Sequence, residues 1–252
     1  MSDLSVLELK GLGLSIGGAR IINDVSFSVP QGQMLGLIGP NGAGKTTLFN
    51  LISGLMMPTE GEILLRGKSL SKQSIEARSR AGIGRTFQTS SLFPGLSAFE
   101  NVRLAAQVKI GGEISLFKFP TRKDEASILT KQCLDEVGLA QSQHETLAGV
   151  LSHGDRRKLE IAMLLAMDPS VILLDEPMAG VASADVPGLV EVIRGVHSSG
   201  RTVLMVEHHI EIVLGLVDKV AVLHHGELLA LDEPSKVMAN ETVQSAYLGE
   251  KP

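Results

Sequence analysis

Gly39-Pro40-Asn41-Gly42-Ala43-Gly44-Lys45-Thr46 satisfies the pattern G-x-x-x-x-G-K-[ST] at every fixed position, the signature of a backbone loop that cradles phosphate. The apolar run Met34-Leu35-Gly36-Leu37-Ile38 before it reads as a buried strand. Leu48, Leu51, Ile52 and Leu55 follow at helical spacing, with Gly54 as the stop. Strand, glycine loop and helix are the context this motif requires. Gly39, Gly42 and Gly44 let the chain turn so that amide N–H groups face phosphate oxygens, and the helix start adds partial positive charge. Lys45 is placed to reach the β- and γ-phosphates and the Thr46 hydroxyl to take one position on Mg2+, with Pro40, Asn41, Ala43 and Thr47 completing the cradle. The plain alternative is a glycine turn joining a strand to a helix, which does not account for Gly44-Lys45-Thr46 standing in register.

The 252 residues are 44% hydrophobic, enough for one α/β core with an appended subdomain and cramped for two independent domains. A net charge of −5 removes the basic footprint of a general nucleic-acid binder, so no nucleic-acid partner is expected. The single cysteine, Cys133, has no partner within the chain for a disulfide, which fits a reducing compartment, and it reads as a small buried hydrophobe. The start Met1-Ser2-Asp3-Leu4 lacks the basic and apolar segments of a secretory signal, and no apolar run reaches the ~18–20 residues of a membrane span. A chain soluble by itself is the expectation, one whose nine methionines suggest apolar surface for a partner.

Val6 to Leu12 and Val25 to Val29 read as strands of a small antiparallel sheet, joined by Glu62 to Arg66. A short helix over Ser74 to Arg80 precedes a strand from Ile83 to Phe87 that ends at Gln88. Helical spacing in Ala98 to Ala106 and Glu125 to Val137 marks a helical section, interrupted by a loop-rich insertion over Lys109 to Arg122. After Leu151-Ser152-His153-Gly154-Asp155 a helix runs to Met167, its inward face carrying Leu159, Ala162, Met163 and Ala166. Val171 to Leu174 is a fully apolar strand that delivers Asp175 and Glu176 at its carboxyl end, where ligands bind in open α/β sheets. A helix over Val186 to Val196, a strand over Thr202 to Val206 delivering Glu207-His208-His209, a helix near Ile210 to Leu216, a hairpin through His224-His225-Gly226 and a helical tail from Pro234 complete the chain.

Two carboxylates after an apolar strand gain meaning downstream of a phosphate loop. Asp175 is placed to hold Mg2+, and Glu176 to polarise a water in line with the γ-phosphate. The phosphate loop, Gln88, Leu151 to Asp155, Asp175-Glu176-Pro177 and His208, in that order, resemble the ATP-binding subunit of ABC transporters over nearly the whole chain. The resemblance implies a RecA-like α/β core with an antiparallel β subdomain and an inserted helical subdomain. Residues 1–88 and 156–233 would form the catalytic core with the β subdomain, 89–155 the helical subdomain and 234–252 a tail, within a single ATPase domain. It implies ATP and Mg2+ as cofactors and a head-to-tail dimer with a second, identical or homologous, ATPase subunit. It further implies two transmembrane permease subunits, an extracytoplasmic solute-binding protein, and a peripheral location on the cytoplasmic face of the inner membrane. Gln88 is implied to sense Mg2+ or the attacking water, and His208 to contact the γ-phosphate after Glu176 positions that water.

Ser152, followed three residues later by Asp155, makes a capping-box-like helix start, and Gly154 leaves backbone N–H groups approachable. Such a helix end is an anion site with no anion of its own. The family resemblance implies that Ser152 and Gly154 meet nucleotide bound by the opposite subunit. Four positions depart from the family pattern. Ile16 stands where an aromatic ring usually stacks on adenine, His153 and Asp155 replace the more frequent Gly and Gln, and Ala182 replaces an aspartate. His209 reads as a helix-start residue, and His224 and His225 as turn residues.

The insertion, Asp175 to Gly180 and the ending Ala246-Tyr247-Leu248-Gly249 look like importers of branched-chain amino acids, and Leu151 to Gly154 with Leu159 to Leu165 is similar to the urea and short-amide members of that group. An ATPase of a lipid-exporting ABC system shares all these motifs. A non-transport ABC ATPase usually carries two cassettes or coiled-coil inserts, and a GTPase would need a guanine-reading Asn-Lys-x-Asp, which is missing.

Overall fold

The computed structural model describes residues 5–86, 92–110 and 124–248. Gln88 and most of the expected insertion, residues 111–122, lie outside the described residues. In chain order the elements are β1 (Ser5–Ile16), β2 (Ala19–Pro30), β3 (Met34–Ile38), α1 (Lys45–Ser53), β4 (Glu60–Leu65), β5 (Lys68–Ser69), α2 (Ile75–Ala81), β6 (Ile83–Arg85), α3 (Ala98–Ile110) and α4 (Glu125–Glu136). There follow α5 (His153–Ala166), β7 (Val171–Asp175), α6 (Val186–Ser198), β8 (Thr202–Val206), α7 (Ile210–Leu214), β9 (Lys219–His224), β10 (Glu227–Asp232), α8 (Pro234–Met238) and α9 (Glu241–Leu248).

The described residues divide into two compact units, the first holding the chain up to Arg85, Ser170–Glu176 and everything from His197 on. Its larger sheet has the order β10-β9-β3-β8-β7-β6, and β9, β3, β8, β7 and β6 run parallel. β3, β7 and β8 are buried at every position, which is why they read as unbroken apolar runs rather than alternating ones. The smaller sheet, β2-β1-β4-β5, is antiparallel where its strands pair, as the alternation in Val25 to Val29 led us to expect. Both early strands run longer than their apolar cores, continuing to a tight turn at Gly17-Gly18.

Arg78 on α2 is fully buried and has no carboxylate among its hydrogen-bond partners. Its guanidinium donates to the carbonyls of Leu51 and Ile52 at the end of α1, and to those of Ser71 and Gln73. A cation on the last carbonyls of a helix meets the negative end of its dipole. Burial pushes the guanidinium pKa down, though arginine's starting value keeps it charged. The C-terminus of α1 is thereby fixed to α2.

The second unit comprises Thr86–Pro169 and Pro177–Val196, with α3, α4 and α5 packed on one another. The helical section thus extends further than the sequence reading put it. α5 packs against α3 and α4, so residues 156–166 group with the helices rather than with the sheet. Lys109 and Ile110 close α3 instead of opening a loop, and Met163 is only partly buried while Ile161, Leu164 and Leu165 join Leu159, Ala162 and Ala166 inside. Ser97 and Glu100 form a reciprocal cap at the start of α3, each side chain accepting the other's backbone N–H at 3.2 and 2.9 Å. That bond from the Ser97 backbone holds the Glu100 carboxyl below its ordinary pKa.

Arg78→Met leaves four carbonyls short of a donor, two of them buried, a loss of about 3–5 kcal/mol. Urea unfolding monitored by circular dichroism should show a destabilisation of that size. A change below about 1 kcal/mol would mean that the guanidinium is not what fixes α1.

Candidate functional site

The phosphate loop is fastened to its neighbours by backbone contacts. A Cβ at Gly39 would lie 2.2 Å from the carbonyl oxygen of Leu223 on β9, so glycine is required for the strand to leave the sheet there. The Ala43 carbonyl accepts from the Gly226 N–H at 3.0 Å, and the Gly226 carbonyl accepts from the Asn23 N–H at 2.8 Å. The loop therefore rests on the β9–β10 turn, which in turn rests on β2. His225 and Gly226 form that turn with φ of 48° and 81°, the left-handed pair of a two-residue hairpin.

α1 begins at Lys45 with Gly44 as its cap, and no side chain bonds the N–H groups of its first turn. Ser74, Asp124 and Ser152, at the starts of α2, α4 and α5, each accept a backbone N–H from three residues on, whereas α7 and α8 start, like α1, with no side-chain cap bond. An open helix start lined by glycines suits an anion, so the residues present fit the phosphates of a nucleotide. Lys45 is buried, and its Nζ donates to the carbonyls of Gly39 at 2.6 Å and Pro40 at 2.8 Å.

β7 and β8 end beside one another and supply the acids. Asp175 closes β7 as a buried residue, and the Glu176 N–H donates to the Val206 carbonyl of β8 at 2.9 Å. Glu176 then takes φ 47°, a left-handed conformation rare for a residue with a long side chain. Such backbone strain concentrates where a side chain must be aimed. Here it ends the strand and places the Glu176 carboxylate on the cleft, with Oε1 2.9 Å from Nε2 of His208.

The cleft measures about 400 Å3 and is lined by Ile21, Asn41 to Thr47, Glu176 and His208. Lys45, Glu176 and His208, far apart in sequence, thus meet at one cavity. Thr46 is exposed on it, whereas Asp175 is 1% exposed and lies outside the cleft lining. A hydroxyl and a carboxylate are oxygen donors, the kind Mg2+ prefers when substrate phosphates supply further ligands. Among the described residues no group of three His, Cys, Asp or Glu side chains is placed to hold a metal, so an all-protein cage is not what this site offers.

Ile16 stands at the end of β1, 51% exposed and outside the cleft lining, whereas Ile21 is part of that lining. Sequence reading missed Ile21. It also gave no role to Glu207, whose buried carboxylate accepts the His208 N–H at 2.9 Å and lies 3.3 Å from Nδ1 of His209. Nor did it single out Arg85, paired with Asp175 at 2.6 Å. His209 stands at the N-cap position of α7 and His225 lies in the β9–β10 turn, as expected, whereas His224 is the last residue of β9, paired with Glu227.

Ser152 and Gly154 belong to the other compact unit. Ser152 Oγ accepts from the Asp155 N–H at 3.1 Å and donates to Asp155 Oδ2 at 2.9 Å, which also accepts from Gln143 at 2.8 Å. A Cβ at Gly154 would meet Oδ2 of Asp185 at 3.1 Å. The start of α5 therefore has carboxylates beside it, Asp155 within its first turn and Asp185 near Gly154. Ser152 takes the Asp155 N–H of the first turn, while the Asp155 carboxylate accepts from Ser152 Oγ and Gln143.

Residues 22–179 match the family described as ABC transporter. The chain is 36% identical, over 97% of its length and 98% of theirs, to the high-affinity branched-chain amino acid transport ATP-binding proteins BraF of Pseudomonas aeruginosa and LivG of Escherichia coli K12. A probable ABC transporter ATP-binding protein of Azorhizobium caulinodans is 36% identical over 97% of the chain and 83% of its own length. In structure it is similar to the ADP conformation of MJ1267, an ATP-binding cassette of an ABC transporter, with a TM-score of 0.82, 28% identity and coverage of 98% and 99% of the two chains.

Lys45→Ala removes one charge-assisted contact to phosphate, worth about 1.5–3 kcal/mol. Titration with a fluorescent ATP analogue should show affinity falling about 10- to 100-fold. Unchanged affinity would place the phosphates elsewhere.

Proposed function

The chain belongs to the ABC transporter family, as an ATPase subunit of such a transporter, and we propose that this cleft hydrolyses MgATP to drive import of branched-chain amino acids or related small polar solutes such as urea. The observation that carries the catalytic part is the Glu176–His208 contact of 2.9 Å on the cleft that holds Lys45. The relatives' names support the amino-acid substrate. No part of the cleft reports on the solute, because the solute does not enter it.

Glu176 accepts a hydrogen bond from the attacking water and orients it toward the γ-phosphate. His208, held through its backbone by Glu207, contacts the same carboxylate and is placed to follow the γ-phosphate. Lys45 exchanges the loop carbonyls for β- and γ-phosphate oxygens and spreads their charge, while the N–H groups of α1's first turn hold the same oxygens. Thr46 and Asp175 would hold Mg2+, which would supply further neutralisation of the phosphates. Gln88 is assigned the sensing of that metal or the water. Ile16 is assigned the base end, where an aliphatic side chain packs without ring stacking.

The remaining half of the reading concerns a partner. Ser152 and Gly154 approach nucleotide bound to a second ATPase subunit, so that ATP closes a head-to-tail dimer. Closure passes through the helical unit to two permease subunits fed by an extracytoplasmic solute-binding protein. Among the described residues no helix is long and apolar enough to cross a membrane, which suits a peripheral subunit on the cytoplasmic face.

Glu176→Gln keeps shape and hydrogen bonding but not basicity. Steady-state phosphate release should fall about 10²- to 10⁴-fold while ATP affinity stays within about twofold. Undiminished release would remove Glu176 from its role. Isolation of the native complex from membranes should return permease subunits and an amino-acid- or urea-binding protein; lipid-exporting partners, or a soluble monomer with kinase activity, would contradict the importer reading.

A further inference from the structure

Arg85 sits at the end of β6 with a side chain only 7% exposed, beside an Asp175 carboxylate that is 1% exposed. Its Nη2 donates to Asp175 Oδ2 at 2.6 Å. Its Nη1 donates to Asn50 Oδ1 and to Ser53 Oγ, each at 2.8 Å. The guanidinium carbon lies over the Phe49 ring, 5.8 Å from its centre. Three separate elements, α1, β6 and β7, are joined by this one side chain.

The positions gripped on α1 matter. Asn50 and Ser53 are three residues apart and share a helix face, and Thr46 is one turn before Asn50 on that same face. Arg85 thus holds α1 one turn below the hydroxyl assigned to the metal and holds β7 at the carboxylate assigned to the same metal. A buried ion pair is a poor source of net stability, since desolvation offsets much of its attraction. Its more defensible use is to fix geometry.

We propose that Arg85 is a positioning residue for Mg2+: its fork locks Asp175 to α1 and so sets the separation of the two metal-holding oxygens, Thr46 Oγ and the Asp175 carboxylate. The proposal rests on the reading that Thr46 and Asp175 hold the metal. A guanidinium is required because only a planar fork can serve both directions at once. A lysine keeps the charge, and with it the repulsion between this cation and a metal, but reaches either Asp175 or the Asn50–Ser53 pair. The fork is then the only thing lost. Groups that orient a metal's protein ligands change metal affinity about 10- to 100-fold when removed.

The experiment measures binding of a fluorescent ATP analogue in excess EDTA and across a Mg2+ titration, giving the factor by which metal tightens nucleotide and the Mg2+ concentration at half effect. Wild type, Arg85→Lys, Asn50→Ala and Asp175→Asn are compared, and urea unfolding confirms that each is folded. In Arg85→Lys the half-effect Mg2+ concentration should rise about tenfold with affinity in EDTA unchanged within about twofold. Asn50→Ala, which leaves the pair with Asp175 in place, should give a rise of about threefold. If Arg85→Lys and Asn50→Ala leave the Mg2+ dependence at the wild-type value while Asp175→Asn abolishes it, the role of Arg85 is overturned and the metal reading stands. An equal loss in EDTA and in Mg2+ would show a general distortion of the loop and would also overturn it. If Asp175→Asn itself leaves the Mg2+ dependence unchanged, the metal reading fails first.

Discussion

The whole site depends on one close approach of backbone to backbone. Gly39 passes so near the Leu223 carbonyl that no side chain fits, and the Gly226 N–H then bonds the Ala43 carbonyl at 3.0 Å. These contacts fasten the phosphate loop to the β9–β10 turn before any side chain is considered. Because β9 and β8 flank β3, and β7 flanks β8, the loop's height above the sheet is shared with the strand ends that carry Asp175, Glu176 and Glu207. Parallel strands deliver their carboxyl ends to one edge, and that edge is where the chemistry gathers. The helix start is left without a side-chain cap, so its donors remain for phosphate rather than for the protein.

Side chains then refine what the backbone has set. Arg78 fixes the far end of α1, Arg85 fixes its middle to Asp175, and the left-handed turn at Glu176 aims a carboxylate at His208. Two buried guanidinium groups, from α2 and β6, packed against one nine-residue helix are a heavy desolvation cost. Both donate to oxygen acceptors on α1, which ties the helix to α2 and β6. A helix whose N-terminus must hold several phosphate charges benefits from being immobile before they arrive, because preorganised donors need no reorientation.

Much of this was legible in the residues alone. The loop, the apolar strands β3, β7 and β8, and the acids after β7 were marked by spacing and by hydrophobic runs too short for helices. His208 became visible only through its order among other motifs, since a histidine after a strand has no pattern of its own. Arg85 and Arg78 were hidden because an arginine in a short polar segment looks solvated; their burial depends on partners 35 and 27 residues away in sequence. The extent of the helical unit was hidden for a related reason: α5 carries apolar residues on more than one side, and spacing does not say which neighbour covers each. At the start of α5 the residues were read correctly as a cap, but Asp185, thirty-one positions after Gly154, brings a carboxylate that local sequence does not announce.

The account's central claim is that the backbone amides of the loop and of the first turn of α1 are the phosphate ligands, with the ends of β7 and β8 closing on the same nucleotide. Amide hydrogen exchange resolved by peptide tests this most directly. On adding MgATP to the Glu176→Gln variant, exchange should slow across Gly39 to Thr47 and across Asp175 to Glu176 and Glu207 to His208. Saturating nucleotide that leaves the loop's exchange unchanged while protecting some other segment would contradict it.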